Sequence, residues 1–283
     1  MNILITGANG FAGQHLTLYL SGKAYTVIAA GKGACRIPCH NNFQYAEIDF
    51  TDAAAVAPFI QQAKPDLVIH TIAMSKPDDC EKNQEACIAL NVGTAANILS
   101  ALKLYLPASH FIFLSTDFIF GENGPHAEDD EPAPLNFYGE SKLMAEQLVK
   151  NSGIHYTIVR PVFIYGESWQ GLRATFLHWV KNNLEQNKPI KVVSDQLRTP
   201  TFVLDLCKGI EQIILQNKQG SYHLAGKDFI SPYQMAVMRC SCPRSIRAAA
   251  FRSWASSTCK SGSNARRPSG SPTPCWSLCS IGG

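Results

Sequence analysis

The chain has 283 residues, 46% of them hydrophobic, with 25 basic and 22 acidic side chains and a formal net charge of +3. That length and apolar content suffice for one large or two modest domains with a substantial core. No run approaches eighteen uncharged apolar residues and Met1 opens directly on a strand pattern, so neither a membrane partner nor a leader is expected and the cytoplasm is the default compartment.

The charge is unevenly spread. Residues 1–238 carry 18 basic against 22 acidic side chains, whereas residues 239–283 carry seven basic and none acidic. The main body therefore lacks the basic surplus that nucleic-acid binding requires. Cys35, Cys39, Cys80, Cys87 and Cys207 are scattered without Cys-x-x-Cys pairing, as expected for reduced thiols, and His residues show no metal-binding spacing, so no metal is expected.

From Met1 to about Met238, short β-branched runs alternate with helical stretches, the pattern of an α/β fold around a parallel sheet. The chain opens with a strand at Asn2–Thr6 and a helix at Phe11–Gly22. Between them lies Gly7-Ala8-Asn9-Gly10-Phe11-Ala12-Gly13, spaced Gly-x-x-Gly-x-x-Gly. A glycine loop between a first strand and a first helix lets a pyrophosphate approach free N–H groups at the positive end of the helix dipole, so dinucleotide binding is expected at Gly7, Asn9, Gly10, Phe11, Ala12 and Gly13.

A second strand, Tyr25–Ala30, ends in Gly31-Lys32-Gly33-Ala34-Cys35-Arg36. An NAD-selective site would offer a carboxylate here; Lys32 and Arg36 instead suit a 2′-phosphate, so NADP(H) is favoured and NAD(H) stays open. A third strand, Phe43–Asp49, brings Asp49 and Phe50 to the expected adenine side, although Asp49 could equally cap the following helix, Asp52–Ala63.

A fourth strand, Leu67–Thr71, a long helix, Glu85–Leu104, and a fifth strand, His110–Ser115, come next. The acidic run Glu128–Glu131 reads as a solvated loop rather than a cation site. The helix at Tyr138–Ser152 carries Tyr138 and Lys142 one turn apart; an ammonium there favours the phenolate and makes proton exchange at a carbonyl or alcohol practicable. A sixth strand, His155–Arg160, a helix, Leu172–Gln186, a strand, Ile190–Val193, a helix, Val203–Gln216, and a strand, Ser221–Ala225, complete the pattern. Ser231-Pro232 then reads as a helix start.

Beyond Met238 the pattern stops. Eleven Ser and five Cys in 45 residues without an apolar period resemble no folded domain. The segment reads as an out-of-frame translation or as a basic tail. The organisation expected is thus 1–160 for a nucleotide-binding domain, 161–238 for a substrate-binding part, and 239–283 for an aberrant tail.

The glycine loop and Tyr-x-x-x-Lys, with Leu114-Ser115-Thr116-Asp117-Phe118-Ile119-Phe120-Gly121 and Pro132-Ala133-Pro134-Leu135-Asn136-Phe137 between them, resemble the extended short-chain dehydrogenase/reductases, and within them the dTDP-4-dehydrorhamnose reductase (RmlD-like) branch. Asp195-Gln196-Leu197-Arg198-Thr199-Pro200-Thr201 is similar to that branch's substrate-side segment. The likeness spans residues 1 to about 238.

The resemblance implies a Rossmann-type doubly wound sheet with a smaller C-terminal substrate domain. It also implies reduction of a nucleotide-linked 4-keto-6-deoxy sugar by NAD(P)H. Thr116 would hydrogen-bond the substrate oxygen, Tyr138 would protonate it, and Lys142 would lower the tyrosine's pKa and hold the nicotinamide ribose. Ala73, Met74, Asn91, Val162 and Phe163 would line the cofactor side, and Asp117 and Arg198 the substrate side. Related dehydratases place Asp-Glu after the Thr; Phe118 follows Asp117 here, which argues for simple reduction. A sugar-nucleotide epimerase remains an alternative, as does a non-catalytic NADP-binding subunit resembling the methionine adenosyltransferase β subunit. A homodimer is left open.

Overall fold

The structure, a computed structural model, describes residues 1–38, 42–169, 175–241 and 278–281, with side chains to residue 238. The described residues fall into two compact units.

The first unit holds a seven-stranded sheet. Its strands are β1 (Asn2–Thr6), β2 (Thr26–Gly31), β3 (Phe43–Glu47), β4 (Leu67–His70), β5 (His110–Leu114), β6 (His155–Pro161) and β8 (Gly220–Leu224). They run parallel in the order β3-β2-β1-β4-β5-β6-β8. This order reverses between β1 and β4, the doubly wound arrangement in which ligands meet the carboxyl ends of the strands. The central strands are unbroken apolar runs such as Ile3-Leu4-Ile5 and Leu67-Val68-Ile69 because helices cover both faces.

Helix α1 (Phe11–Ser21) follows β1, and α2 (Ala53–Ala63) follows β3. Asp52 caps α2, its carboxylate accepting from the amides of Ala54 and Ala55. Asp49 is not that cap; its Oδ1 accepts from Thr51 N and Oγ1. A helix the pattern does not announce, α3 (Pro77–Lys82), precedes α4 (Gln84–Ile88). The long helix expected at Glu85–Leu104 is interrupted: α4 leads through a π-turn, Ala89–Gly93, into α5 (Thr94–Tyr105). By length and apolarity Gln84–Tyr105 would pass for a membrane span. Its Ala95, Ile98, Leu99 and Leu102 are instead buried in the main core with Val56 and Ile60 of α2 and Phe111 and Phe113 of β5. Helix α6 (Phe137–Lys150) carries Ala145 and Val149 into the same core, and Asn136 caps it by accepting from Gly139 N.

The second unit contains α7 (Phe176–Glu185), β7 (Ile190–Val193), α9 (Pro232–Ser241) and β9 (Leu278–Ile281), the last paired antiparallel with β7 through the backbone. Val180, Ile190, Val192 and Ala236 form one of its small cores. Ser231 caps α9 as the sequence suggests, its Oγ accepting from Gln234 N.

Helix α8 (Val203–Leu215) begins in the second unit, and the chain then returns to the first for Leu206–Leu224. A single division at residue 160 therefore does not describe the units, because β8 completes the sheet beside β6. Apart from the end of α9 and from β9, the expectation for residues 239–283 lies outside the described residues, as does Cys39.

Candidate active site

The loop between β1 and α1 has the geometry a pyrophosphate needs. Gly7 sits at φ +74°, and a Cβ there would meet Thr71 Oγ1 at 2.8 Å and Ile72 N at 2.9 Å, so the loop can hug the end of β4 only as glycine. Gly10 is the N-cap of α1 without a side-chain cap, and no acidic residue occupies the first turn. The amides of Phe11, Ala12 and Gly13 thus open the helix without competition from a side-chain acceptor.

Asn9 fixes the neighbouring loop. Its Nδ2 donates to the carbonyls of Lys32 (3.1 Å) and Ala34 (3.0 Å), and its Oδ1 accepts from Arg36 N (2.9 Å). Tyr45, which the pattern did not single out, donates to Gly33 O at 2.6 Å and accepts from Asn9 Nδ2 at 2.8 Å. Lys32 and Arg36 are therefore held beside the glycine loop. Lys32 Nζ lies 2.6 Å from Asp49 Oδ2, and this pairing pulls the Asp49 carboxyl down to about 2. Phe50 turns inward, buried edge-on against Phe59, and its side chain belongs to the core. Cofactor fit rests on these features and on Gln14 Oε1, a buried acceptor in α1 without a hydrogen-bond partner among the described residues.

Thr116, Tyr138 and Lys142 gather at the end of β5. Thr116 caps a short 3₁₀ turn, Asp117–Ile119, its Oγ1 accepting from Phe118 N (3.3 Å) and lying 3.2 Å from Asp117 Oδ1. Tyr138 is buried beside Thr116, with Phe118 edge-on at 5.5 Å. Burial raises the phenol well above its ordinary value, opposed by the Thr116 hydroxyl and reinforced by Asp117, Cys80 and Cys87. The expected lowering by Lys142 is not what the geometry gives. Lys142 Nζ donates to Leu114 O at 2.7 Å and lies 4.0 Å from the centre of the Phe113 ring, and burial pulls the ammonium itself down to about 7. Desolvation is the largest influence on both groups. Beside Thr116, Ser115 Oγ is a second buried atom without a hydrogen-bond partner.

The π-turn serves this arrangement. It places Asn91 so that Oδ1 accepts from Met74 N (2.7 Å) while Nδ2 donates to Met74 O (3.2 Å) and Ser141 Oγ (2.8 Å). One buried amide thereby ties the segment after β4, with Ala73 and Met74, to the helix bearing Tyr138 and Lys142. π-Turns recur at functional sites for such reasons.

Below the turn runs a hydrogen-bond chain with only one assignment. Thr94 Oγ1 donates to Leu90 O at 2.6 Å and so must accept from His70 Nε2 at 3.3 Å. His70 Nδ1 is then the acceptor of the Thr6 hydroxyl at 2.8 Å. Burial pushes His70 down to about 3, with the Lys142 charge adding to the effect, so the ring stays neutral.

Behind α6, Arg160 is clamped by Glu146, with Nε 3.0 Å from Oε1 and Nη2 2.8 Å from Oε2. Arg160 Nη1 also donates to Glu128 O at 2.8 Å, and Glu128 Oε1 accepts from His223 N at 3.0 Å. Glu128 is exposed, as expected for the acidic run, and at the same time links Arg160 to His223. Among the described residues no cluster of metal-binding side chains occurs.

Val162, Phe163 and Arg198 belong to the second unit. Val162 N and O both engage Thr201 Oγ1, and the Arg198 guanidinium lies 6.0 Å from the centre of the Phe163 ring. Glu146 was legible in principle: Tyr138, Lys142 and Glu146 recur every fourth residue, which puts polar groups on one helix face. Tyr45 and His70 gave no such signal.

Comparison with known proteins agrees with this geometry. The chain is 31% identical to a dTDP-4-dehydrorhamnose reductase from Clostridium acetobutylicum, with a TM-score of 0.73 over 84% of this chain and 78% of that one. A dTDP-4-dehydrorhamnose reductase from Bacillus anthracis, solved in complex with NADP, is 28% identical with a TM-score of 0.71 over 84% and 79%. The methionine adenosyltransferase 2 subunit beta of Xenopus tropicalis is 30% identical over 238 residues, 82% of this chain and 69% of that protein. The family described as RmlD substrate binding domain matches residues 1–278, past the point near residue 238 where the motif resemblance ends. The chain belongs to this family, the RmlD-like branch of the extended short-chain dehydrogenase/reductases.

Proposed function

We propose that the protein reduces the keto group of a nucleotide-linked 4-keto-6-deoxy sugar, dTDP-4-dehydrorhamnose foremost, using NADP(H) in preference to NAD(H). The observation that carries this reading is the meeting of Thr116, Tyr138 and Lys142 at the end of β5, in the unit that carries the glycine loop. A phenol held above its ordinary pKa is protonated at neutral pH, the state a general acid needs to deliver a proton to a carbonyl oxygen. The Thr116 hydroxyl, beside that phenol, orients the same oxygen. Lys142, near its midpoint at neutral pH, can return a proton to the tyrosine side. A nicotinamide, when bound, supplies the hydride. Gly7 to Gly13 and Asn9 would hold its pyrophosphate side, with Lys32 and Arg36 placed for a 2′-phosphate. Phe118, where a dehydratase would carry a second carboxylate, supports reduction without elimination.

The test is NADPH oxidation by purified full-length protein with and without dTDP-4-keto-6-deoxy sugar. Oxidation that depends on the sugar and yields the alcohol supports the proposal. Epimerised keto sugar without net oxidation would assign an epimerase. Tight NADPH binding without turnover would favour a regulatory subunit, the reading that the likeness to the methionine adenosyltransferase subunit keeps in view.

A further inference from the structure

The face of α6 that carries Tyr138 and Lys142 continues one turn further to Glu146, whose side chain is 0% exposed. Its partner Arg160 is 2% exposed and grips both carboxylate oxygens, so the carboxylate cannot swing away. Lys150 Nζ, 4.0 Å from Oε2, is the other cation near it. Arg160 also holds Glu128 O, lies 3.4 Å from His223 Nε2, and covers the Phe120 ring at 5.2 Å, just past the turn that Thr116 caps. A buried ion pair is a poor stabiliser, roughly matched by an apolar pair of the same shape. Its place beneath a buried lysine calls for another explanation.

The groups that face Lys142 are few. From its own helix comes the Glu146 charge, from α4 the Cys87 thiol, from β4 the neutral His70 ring, and from β5 the Leu114 carbonyl and the Phe113 ring. Among the described residues Glu146 is the only carboxylate found to act on Lys142.

We propose that Glu146, fixed by Arg160, is a positioning residue that favours the protonated form of Lys142 and holds the helix of Tyr138 and Lys142 against the segment following Thr116. The inference rests on the reading of Tyr138 and Lys142 as the catalytic pair. Without the carboxylate, burial acts on Lys142 unopposed and the ammonium gives up its proton at lower pH.

The test needs no substrate. The full-length protein with 13C-labelled lysine is titrated by NMR, Lys142 being assigned by its loss in Lys142→Arg. In Glu146→Gln the Lys142 midpoint falls by about one pH unit, a tenfold weaker hold on the proton. Because that change leaves Arg160 buried without its partner, Glu146→Gln/Arg160→Met, which leaves neither charge behind, is the arm that preserves the fold. An unchanged Lys142 midpoint in this folded double variant overturns the proposal. With the keto sugar, the alkaline limb of kcat/KM moves to lower pH in the same variants, and a limb that stays put while Lys142 shifts overturns the link to catalysis. If the wild type turns over no keto sugar, the proposed reaction fails, while the Lys142 titration still decides the role of Glu146.

Discussion

Gly139 lies directly beneath the Phe118 carbonyl, so close that a Cβ on Gly139 would fall far inside contact distance of that oxygen. Helix α6 and the turn capped by Thr116 are thus seated on one another through bare backbone. Gly139→Ala should force the two apart, destabilising the protein by about 2–3 kcal/mol. On the proposed mechanism it should also lower kcat more than it raises KM, since Thr116 and Tyr138 would no longer meet at one substrate oxygen. A urea melt and steady-state kinetics check both, and wild-type kcat in a destabilised variant would refute the alignment argument.

Tyr138→Phe removes the phenol proton while keeping the ring that packs on Phe118. Turnover should drop about 10²- to 10⁴-fold, with the Kd for NADPH within about twofold of wild type. Stopped-flow hydride transfer and fluorescence titration of NADPH measure the two separately. Unchanged turnover would remove Tyr138 from the mechanism.

Lys32 is paired with Asp49. Lys32→Ala should weaken NADPH about tenfold and leave NADH nearly unchanged, because only the former offers a 2′-phosphate. Asp49→Asn, which frees the ammonium, should tighten NADPH by roughly threefold. Opposite shifts in isothermal titration would show that Lys32 does not meet the phosphate. The pair also has an acid signature. The Asp49 carboxyl is lowered from 3.8 to about 2, so whatever stability it adds is present above that window and fades as pH falls through it.

His70 gives a different window. Its folded pKa of about 3 lies below the ordinary 6.5, so between these values the unfolded chain takes up a proton that the folded chain refuses. Stability should therefore drop as pH falls from 6.5 towards 3, by at most about 1.4 kcal/mol per pH unit from this group, with no effect above. Urea midpoints across that range for wild type and His70→Gln check it. Equal slopes for the two proteins would show that His70 is not the titrating group.

Much of this was legible in the sequence because it is local. Apolar runs such as Leu67-Val68-Ile69 and the glycine loop announce strands and turn within a few residues, and strand limits agree to within about two residues. Helix α3 escaped because Pro77-Asp78-Asp79-Cys80-Glu81-Lys82 is polar and too short to show a period. The π-turn escaped because Asn91 bends its helix for partners at Met74 and Ser141, 17 and 50 residues away. Tyr45 and His70 likewise act through partners that only the folded sheet brings near. The sign of the Tyr138 shift is hidden from the sequence for a related reason: spacing reveals the lysine but not how dry its surroundings are.

The chain from Thr6 through His70 and Thr94 to Leu90 has a last consequence. Every hydroxyl and ring nitrogen in it has a single role open, so the root of the nucleotide loop and the bend that carries Asn91 are keyed to one imidazole. Serine at position 6 or 94 would keep the relay running, whereas valine, though matched in shape, would strand a nitrogen in the dark of the sheet. The root of the glycine loop and the bend that steadies α6 are, in this sense, two ends of one hydrogen-bond chain.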